Sequence, residues 1–276
     1  MPSHPLVDVD WLARRLEEPR LRVVDCRWRL GDRGAGRALD EAAHVPGAAF
    51  LDVDDDLASA PGEGRHPLPP AAAFERSVAL AGIEPDSLVV AYDEAGEGGA
   101  ARLWWLLRHF GHDEAVVLDG GMHAWRAAGA PLRPAVESIA VGAFRATARA
   151  HDTIDADALR GRLGEPGLVL VDARTPERYR GDVEPIDARA GHLPGAHNAP
   201  HGQLAPEGRY RPPDELRARL EAAGASDRTT LVAYCGSGIT ACTVLLAAEI
   251  AGLERALLYP GSWSDWSSRG NPIETG

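Results

Sequence analysis

The chain has 276 residues with 29 basic and 41 acidic side chains, a net charge of −12, and every basic residue is Arg. Without Lys, chemistry that needs an amine side chain is excluded: a cofactor Schiff base, a P-loop Lys or a kinase-type phosphate Lys. The acidic balance leaves no basic footprint for nucleic acid, and a composition 45% hydrophobic and 25% charged describes a packed globule.

In chain order, a helix is predicted over 8–17 and a strand over 21–25. A helix over 70–81 follows, with Pro70 in its first turn, then a strand over 88–92, a helix over 100–109, a strand over 115–118 and a helix over 122–128. Residues 133–154 carry no clear periodic core. The pattern resumes with a strand over 168–172, a helix over 213–223 starting at Pro213, a strand over 230–234, a helix over 239–251 and a strand over 256–259. Gly82, Gly111, Gly129, Gly224 and Gly252 stand where helices should stop. Short runs apolar on both faces suit a central, mostly parallel sheet, and strands alternating with helices indicate an α/β fold. No window approaches a membrane span. Residues 1–16 show no signal peptide, and three cysteines are too few for a disulfide framework, so a reducing, cytoplasmic setting is expected.

Four blocks recur in the same order, offset by 140–148 residues. Val23-Val24-Asp25-Cys26-Arg27 resembles Leu170-Val171-Asp172-Ala173-Arg174, and His44-Val45-Pro46-Gly47-Ala48 resembles His192-Leu193-Pro194-Gly195-Ala196. Val89-Val90-Ala91-Tyr92-Asp93 resembles Leu231-Val232-Ala233-Tyr234-Cys235, and LDGGMHAW, ending at Trp125, resembles LYPGSWSDW, ending at Trp266. A repeat this long is a domain. The expected organisation is a domain over 1–134, a linker over 135–153 and a second domain over 154–276.

The copies diverge at one loop. After the strand over 230–234 comes Cys235-Gly236-Ser237-Gly238-Ile239-Thr240; after the strand over 88–92 comes Asp93-Glu94-Ala95-Gly96-Glu97-Gly98. Ligands in parallel sheets bind beyond the carboxyl ends of strands. Glycines let successive N–H groups curl into an anion-binding nest, and the next helix adds its positive end. A thiol at the start of that loop would be stabilised as thiolate, whereas the first copy places a carboxylate there. Cys26 and Cys242 lack such a setting and read as packing residues, and a Cys235–Cys242 disulfide is not expected.

These residues resemble the sulfurtransferases of the rhodanese superfamily. The blocks carrying the likeness are the two Asp-x-Arg strand ends, the two His-x-Pro-Gly-Ala segments, VVAYD…RLWWLLRHFGH…LDGGMHAW, CGSGITA and YPGSW. The resemblance implies two tandem rhodanese-like domains, the first inactive and the second catalytic, with no cofactor. It implies a persulfide on Cys235, stabilised by loop amides at Gly236, Gly238, Ile239 and Thr240. Ser237 matches a proton relay. Asp54 and His66 match residues that face the site from the inactive domain, which would put it in the interdomain cleft. The loop looks like that of 3-mercaptopyruvate sulfurtransferases, because thiosulfate sulfurtransferases typically carry basic residues where Gly236 and Ser237 stand. Arg178 matches an Arg that binds the donor carboxylate. A second such Arg usually follows Glu-Pro; here Ile186 follows Glu184-Pro185, and Arg189 is the nearest substitute. The partners implied are a small-molecule sulfur donor and an acceptor such as thioredoxin, another thiol or cyanide.

Three other readings compete. Thiosulfate is the alternative donor. A Cys-dependent phosphatase would need an Arg six residues after the Cys, where Ala241 stands. A persulfide carrier without its own donor would hold one labile sulfur and not turn over. His192, His197 and His201 are close in sequence, but His192 repeats His44, which argues for a structural hydrogen bond and against a metal site. Asp25 and Asp172 are read as structural groups paired with nearby Arg.

Overall fold

The computed structural model describes residues 4–134 and 139–276; residues 135–138, the start of the expected linker, lie outside the described residues. The chain divides into two compact units. Unit 1 comprises Met1–Ser59, Leu68–Arg149 and Glu207–Arg209, and unit 2 comprises Ala60–Pro67, Ala150–Pro206 and Tyr210–Gly276. A short segment of the first half thus belongs to unit 2, and a shorter one of the second half to unit 1.

Unit 1 runs β1 (Leu6–Val7), α1 (Val9–Ala13), β2 (Leu21–Asp25), α2 (Ala35–Ala42), β3 (Ala49–Phe50), α3 (Ala71–Leu80), β4 (Leu88–Tyr92), α4 (Gly99–His109), β5 (Ala115–Leu118) and α5 (Gly121–Ala127). Its sheet is parallel, in the order β1-β5-β4-β2-β3. Unit 2 runs α6 (Ala156–Gly161), β6 (Leu168–Asp172), α7 (Pro176–Arg180), β7 (His197–Asn198), α8 (His201–Leu204), α9 (Pro213–Ala222), β8 (Thr230–Tyr234), α10 (Ala241–Ile250), β9 (Ala256–Leu258) and α11 (Ser262–Ser268). Its sheet is also parallel, in the order β7-β6-β8-β9. The α/β reading and the parallel sheets stand as expected.

The repeat is visible in register and in buried polar contacts. Asp25 pairs across the sheet with Tyr92, and Asp172 with Tyr234. Arg27 grips the Asp25 carboxylate from Nε and Nη2 and donates to Ala43 O at 2.7 Å. Arg174 does the same with Asp172 and Gly191 O. Both pairs are buried, so losing one partner would leave an uncompensated charge, a loss of about 3–5 kcal/mol. His44 and His192 each set Nδ1 against a backbone carbonyl, of Asp40 and of Tyr179, both at 2.8 Å. Trp125 Nε1 donates to Pro131 O and Trp266 Nε1 to Pro272 O. The Asp, Arg and His of the repeat are structural, as read.

Around them sit two apolar cores. One gathers Val23, Val90, Val116, Leu118 and Trp125, the other Leu159, Leu170, Val232, Trp263 and Trp266. Each buried side chain of this size contributes about 1.5–3 kcal/mol over leaving it exposed. In α10 nine of the helix's residues are buried, Glu249 being the exception. The helix is apolar all round, as a helix packed between α8, α9, β8 and β9 must be.

Two departures have local causes. The predicted helix over 8–17 ends at Ala13, and residues 14–17 continue as turns that still pack Leu16 on the core before Pro19. α2 lies outside the predicted helices because its inward face, Gly36, Leu39 and Asp40, holds only one large apolar side chain; Gly36 lets it press against the turn after β2, where a Cβ would stand 1.9 Å from Arg27 O. Among the described residues no helix is long and apolar enough to cross a membrane.

Candidate active site

Interior strand β8 delivers Cys235 to the C-terminal end of the unit 2 sheet, and α10 begins just after Thr240. The loop between them is clamped from below. Cys235 N–H donates to Ser262 Oγ at 3.1 Å, Cys235 O accepts from Trp263 N–H at 2.9 Å, and Gly236 O accepts from Ser264 N–H at 3.0 Å. Gly238 has φ 85°, and a Cβ there would meet Pro260 O at 2.5 Å. Only glycine fits that backbone position. This turn aims Gly238 N–H at Cys235 Sγ, 3.1 Å away. Ile239 is buried, and Cys242, the second residue of α10, donates its Sγ–H to Gly238 O.

Ser237 is the loop's only hydroxyl before Thr240, and its Oγ lies 2.7 Å from His66 Nδ1, both residues being buried. His66 comes from the segment 60–67, which packs as part of unit 2. That segment is pinned by Arg65 N–H donating to Ser264 Oγ and by the contact of Gly64 with Gly261.

Arg178, on α7, also reaches the loop. A Cβ built on Gly236 would stand 3.4 Å from Arg178 Nη1 and 2.8 Å from Arg65 Nη2. Arg178 is held by Glu184. Burial works to raise the Glu184 carboxyl, but the Arg178 hydrogen bonds and the N–H groups of Asp187 and Ile186 hold it below its ordinary range. The loop is neutral in sequence, yet two guanidinium groups stand against it.

The structure therefore brings together Cys235, Gly236, Ser237, Gly238, His66 and Arg178. Arg189 is engaged elsewhere: its Nη1 donates to Asn271 O at 3.0 Å and to Ser267 O at 3.4 Å. Asp54 belongs to unit 1, on a turn where its N–H donates to Asp52 Oδ1. Cys26 and Cys242 are buried and form no disulfide. Burial, with Asp25 and Asp93 nearby, pushes the Cys26 thiol up, which keeps it protonated and unreactive.

Sequence reasoning missed three residues here. Arg65 and Asp187, which pair with each other, stand beside the family-matched His66 and Glu184-Pro185-Ile186 but carry no periodic or motif signal of their own. Ser262 had a signal: it aligns with Gly121, and both have φ 53°. A non-glycine residue in that conformation is strained, and its hydroxyl is what holds the Cys235 backbone.

The Rhodanese-like domain family matches residues 8–128 and 155–269. A probable 3-mercaptopyruvate sulfurtransferase of Pseudomonas aeruginosa is 44% identical over the full length of both chains. A putative thiosulfate sulfurtransferase, SseB, of Mycobacterium tuberculosis is 41% identical, over 89% of this chain and 87% of its own. The crystal structure of SseA, a 3-mercaptopyruvate sulfurtransferase of Escherichia coli, superposes with a TM-score of 0.85 at 30% identity, covering 95% of this chain and all of that one.

Proposed function

The chain belongs to the rhodanese-like family, and on that premise we propose that it is a sulfurtransferase moving a sulfane sulfur from 3-mercaptopyruvate to a thiol or cyanide through a persulfide on Cys235. The observation that carries the reading is the Cys235 sulfur inside a turn whose Gly238 N–H points at it. That arrangement favours negative charge on sulfur, and the following helix start adds to it. Full-length likeness to 3-mercaptopyruvate sulfurtransferases supports the donor.

In the first half-reaction the Cys235 thiolate attacks the donor sulfur. The C–S bond breaks, and its electron pair passes to the carbon as the enolate of pyruvate. The proton that the donor thiol gives up ends on that carbon, and the Ser237–His66 pair is placed to carry it. Cys235 keeps the sulfur as Cys235–S–S⁻, with the amides of Gly236, Gly238, Ile239 and Thr240 around it. In the second half-reaction an acceptor thiolate or cyanide attacks the outer sulfur, and Cys235 leaves as thiolate. The scheme is ping-pong. Arg178 faces the donor carboxylate. Asp54 and Arg189 enter this proposal only by family resemblance. The domain division 1–134, 135–153 and 154–276 belongs to it as well, as does a reducing, cytoplasmic setting that keeps the thiol free.

Thiosulfate is the second reading, supported by the likeness to SseB. Steady-state kinetics with both donors, with cyanide and with thioredoxin as acceptors, decide between them. A higher kcat/KM for 3-mercaptopyruvate is expected, and a clear preference for thiosulfate overturns the donor assignment.

A further inference from the structure

The two guanidinium groups that converge on Gly236 differ in what they have to offer. An Arg grips a carboxylate side-on with Nε and Nη2. In Arg178 that edge is occupied: Nε donates to Glu184 Oε2 at 3.2 Å, and Nη2 donates to Oε1 at 2.6 Å and Oε2 at 2.9 Å. In Arg65 the opposite end is engaged. Its Nη1 pairs with Asp187, Nε is buried without a hydrogen-bond partner among the described residues, and Nη2 is the atom that meets Gly236. An N–H buried without an acceptor costs about 1–3 kcal/mol. The fold nevertheless holds Arg65 in place, through its own backbone N–H on Ser264 and through Asp187, which also lies 3.6 Å from Arg178 Nη2.

We propose that Arg65 binds the carboxylate of the sulfur donor through Nε and Nη2, and so sets the preference for a keto-acid thiol. The proposal rests on the sulfurtransferase reading above. Arg178 then contributes a single Nη1 contact, and Arg65 supplies the fork that the residue after Glu184-Pro185 does not. A planar, singly charged carboxylate matches that edge. Dianionic thiosulfate gains less, because Arg65 and Arg178 are already balanced by Asp187 and Glu184.

The test uses the full chain and the variants R65K and R65Q. R65K keeps a cation beside Asp187 but loses the fork. With 3-mercaptopyruvate, KM should rise about 10- to 100-fold in both variants, the value of hydrogen bonds to a charged group, while kcat stays within threefold. With methanethiosulfonate, a sulfane-sulfur donor without a carboxylate, the rise in KM in R65K should be smaller than with 3-mercaptopyruvate by about fivefold or more. A KM for 3-mercaptopyruvate within twofold of wild type in R65K overturns the proposal. A second readout does not depend on turnover: pyruvate should protect Cys235 from iodoacetamide, followed by mass spectrometry of the Cys235 peptide. The half-protecting concentration should rise about tenfold in R65K, again the worth of a charged hydrogen bond. If wild type does not turn over 3-mercaptopyruvate but shows this shift, the donor assignment fails and Arg65 stands. If pyruvate protects both proteins equally, or neither, the assignment of Arg65 fails.

Discussion

The loops 93–98 and 235–240 occupy the same place in two copies of one fold, each running from an interior strand into a helix, and they differ in what fills the nest. In the first, Asp93 turns its own carboxylate inward. Oδ1 accepts from Gly96 N–H at 2.8 Å, and Oδ2 accepts from Gly98 N–H at 3.0 Å and Ala100 N–H at 3.2 Å. Glu97 takes the N–H groups of Glu94 and Ala95. The scaffold beneath is shared: Met122 N–H donates to Asp93 O at 2.9 Å, as Trp263 N–H donates to Cys235 O. The first loop is thus still an anion nest, saturated by side chains of its own chain. The second keeps a thiol there, with one amide aimed at it, and takes its positive charge from Arg65 and Arg178. An anion-binding loop geometry is therefore not an activity; the activity depends on leaving the nest to an outside group.

The largest expected effect breaks the comparison at its centre. Cys235→Ser should lower turnover more than 10³-fold and abolish cyanide-labile sulfur, as loss of a covalent nucleophile does. Cys26→Ala and Cys242→Ala should stay near wild type. Moving the thiol to the first loop, Asp93→Cys in the Cys235→Ser background, should not restore activity, because Glu97 still holds two of the amides. Turnover by that double variant would show that the two nests are chemically equivalent after all.

Next in size is the relay that the first loop lacks. Ser237→Ala and His66→Asn should each lower kcat with 3-mercaptopyruvate about 10²-fold, at the low end for a proton-transfer group. The double variant should lose little more, since the two act through one 2.7 Å contact. Fully multiplicative losses would mean that Ser237 and His66 serve different steps. Smaller again, Arg178→Ala should raise KM for 3-mercaptopyruvate about tenfold, with less change for thiosulfate, the order expected for one charged hydrogen bond. Equal loss with both donors would deny Arg178 any part in reading the carboxylate.

Much of this was legible in the sequence because it was written twice. The strand-end Asp, its Arg, the His and the terminal Trp recur at matched positions; the structure gives the Asp–Arg and Trp pairs matching hydrogen bonds and sets each His Nδ1 against a backbone carbonyl. Cys235 was legible as the point where the repeat fails. What was not legible depends on the chain crossing between units. Segment 60–67 has no periodicity; only the family match of His66 brought it to the second loop, and nothing marked Arg65 as lying beside Gly236. The short strands β1, β3 and β7, of two residues each, carry no usable alternation. Arg189 was chosen by proximity in sequence to a missing residue, whereas its guanidinium caps the end of α11 and the turn at Asn271.

The smallest expected effect tests the saturated nest itself. Burial, with the Glu97 charge second, pushes the Asp93 carboxyl up to about 7 against the pull of its three amide hydrogen bonds. A carboxyl raised in the folded state binds more protons there than in the unfolded chain. Its contribution to stability is therefore greatest below its unfolded value near 4 and is lost as pH rises through about 7. Asp40, pushed up to about 6 mainly by burial, acts with the same sign, so the informative quantity is the difference between wild type and Asp93→Asn. Wild type should lose a few degrees more of Tm between pH 5 and pH 7 than the variant does, the scale expected for part of one proton in a domain of this size. Activity measured at each pH should not follow that difference, because the chemistry resides in the other loop. Parallel Tm curves would mean that Asp93 is already ionised throughout, with its amides holding it as firmly as a bound anion.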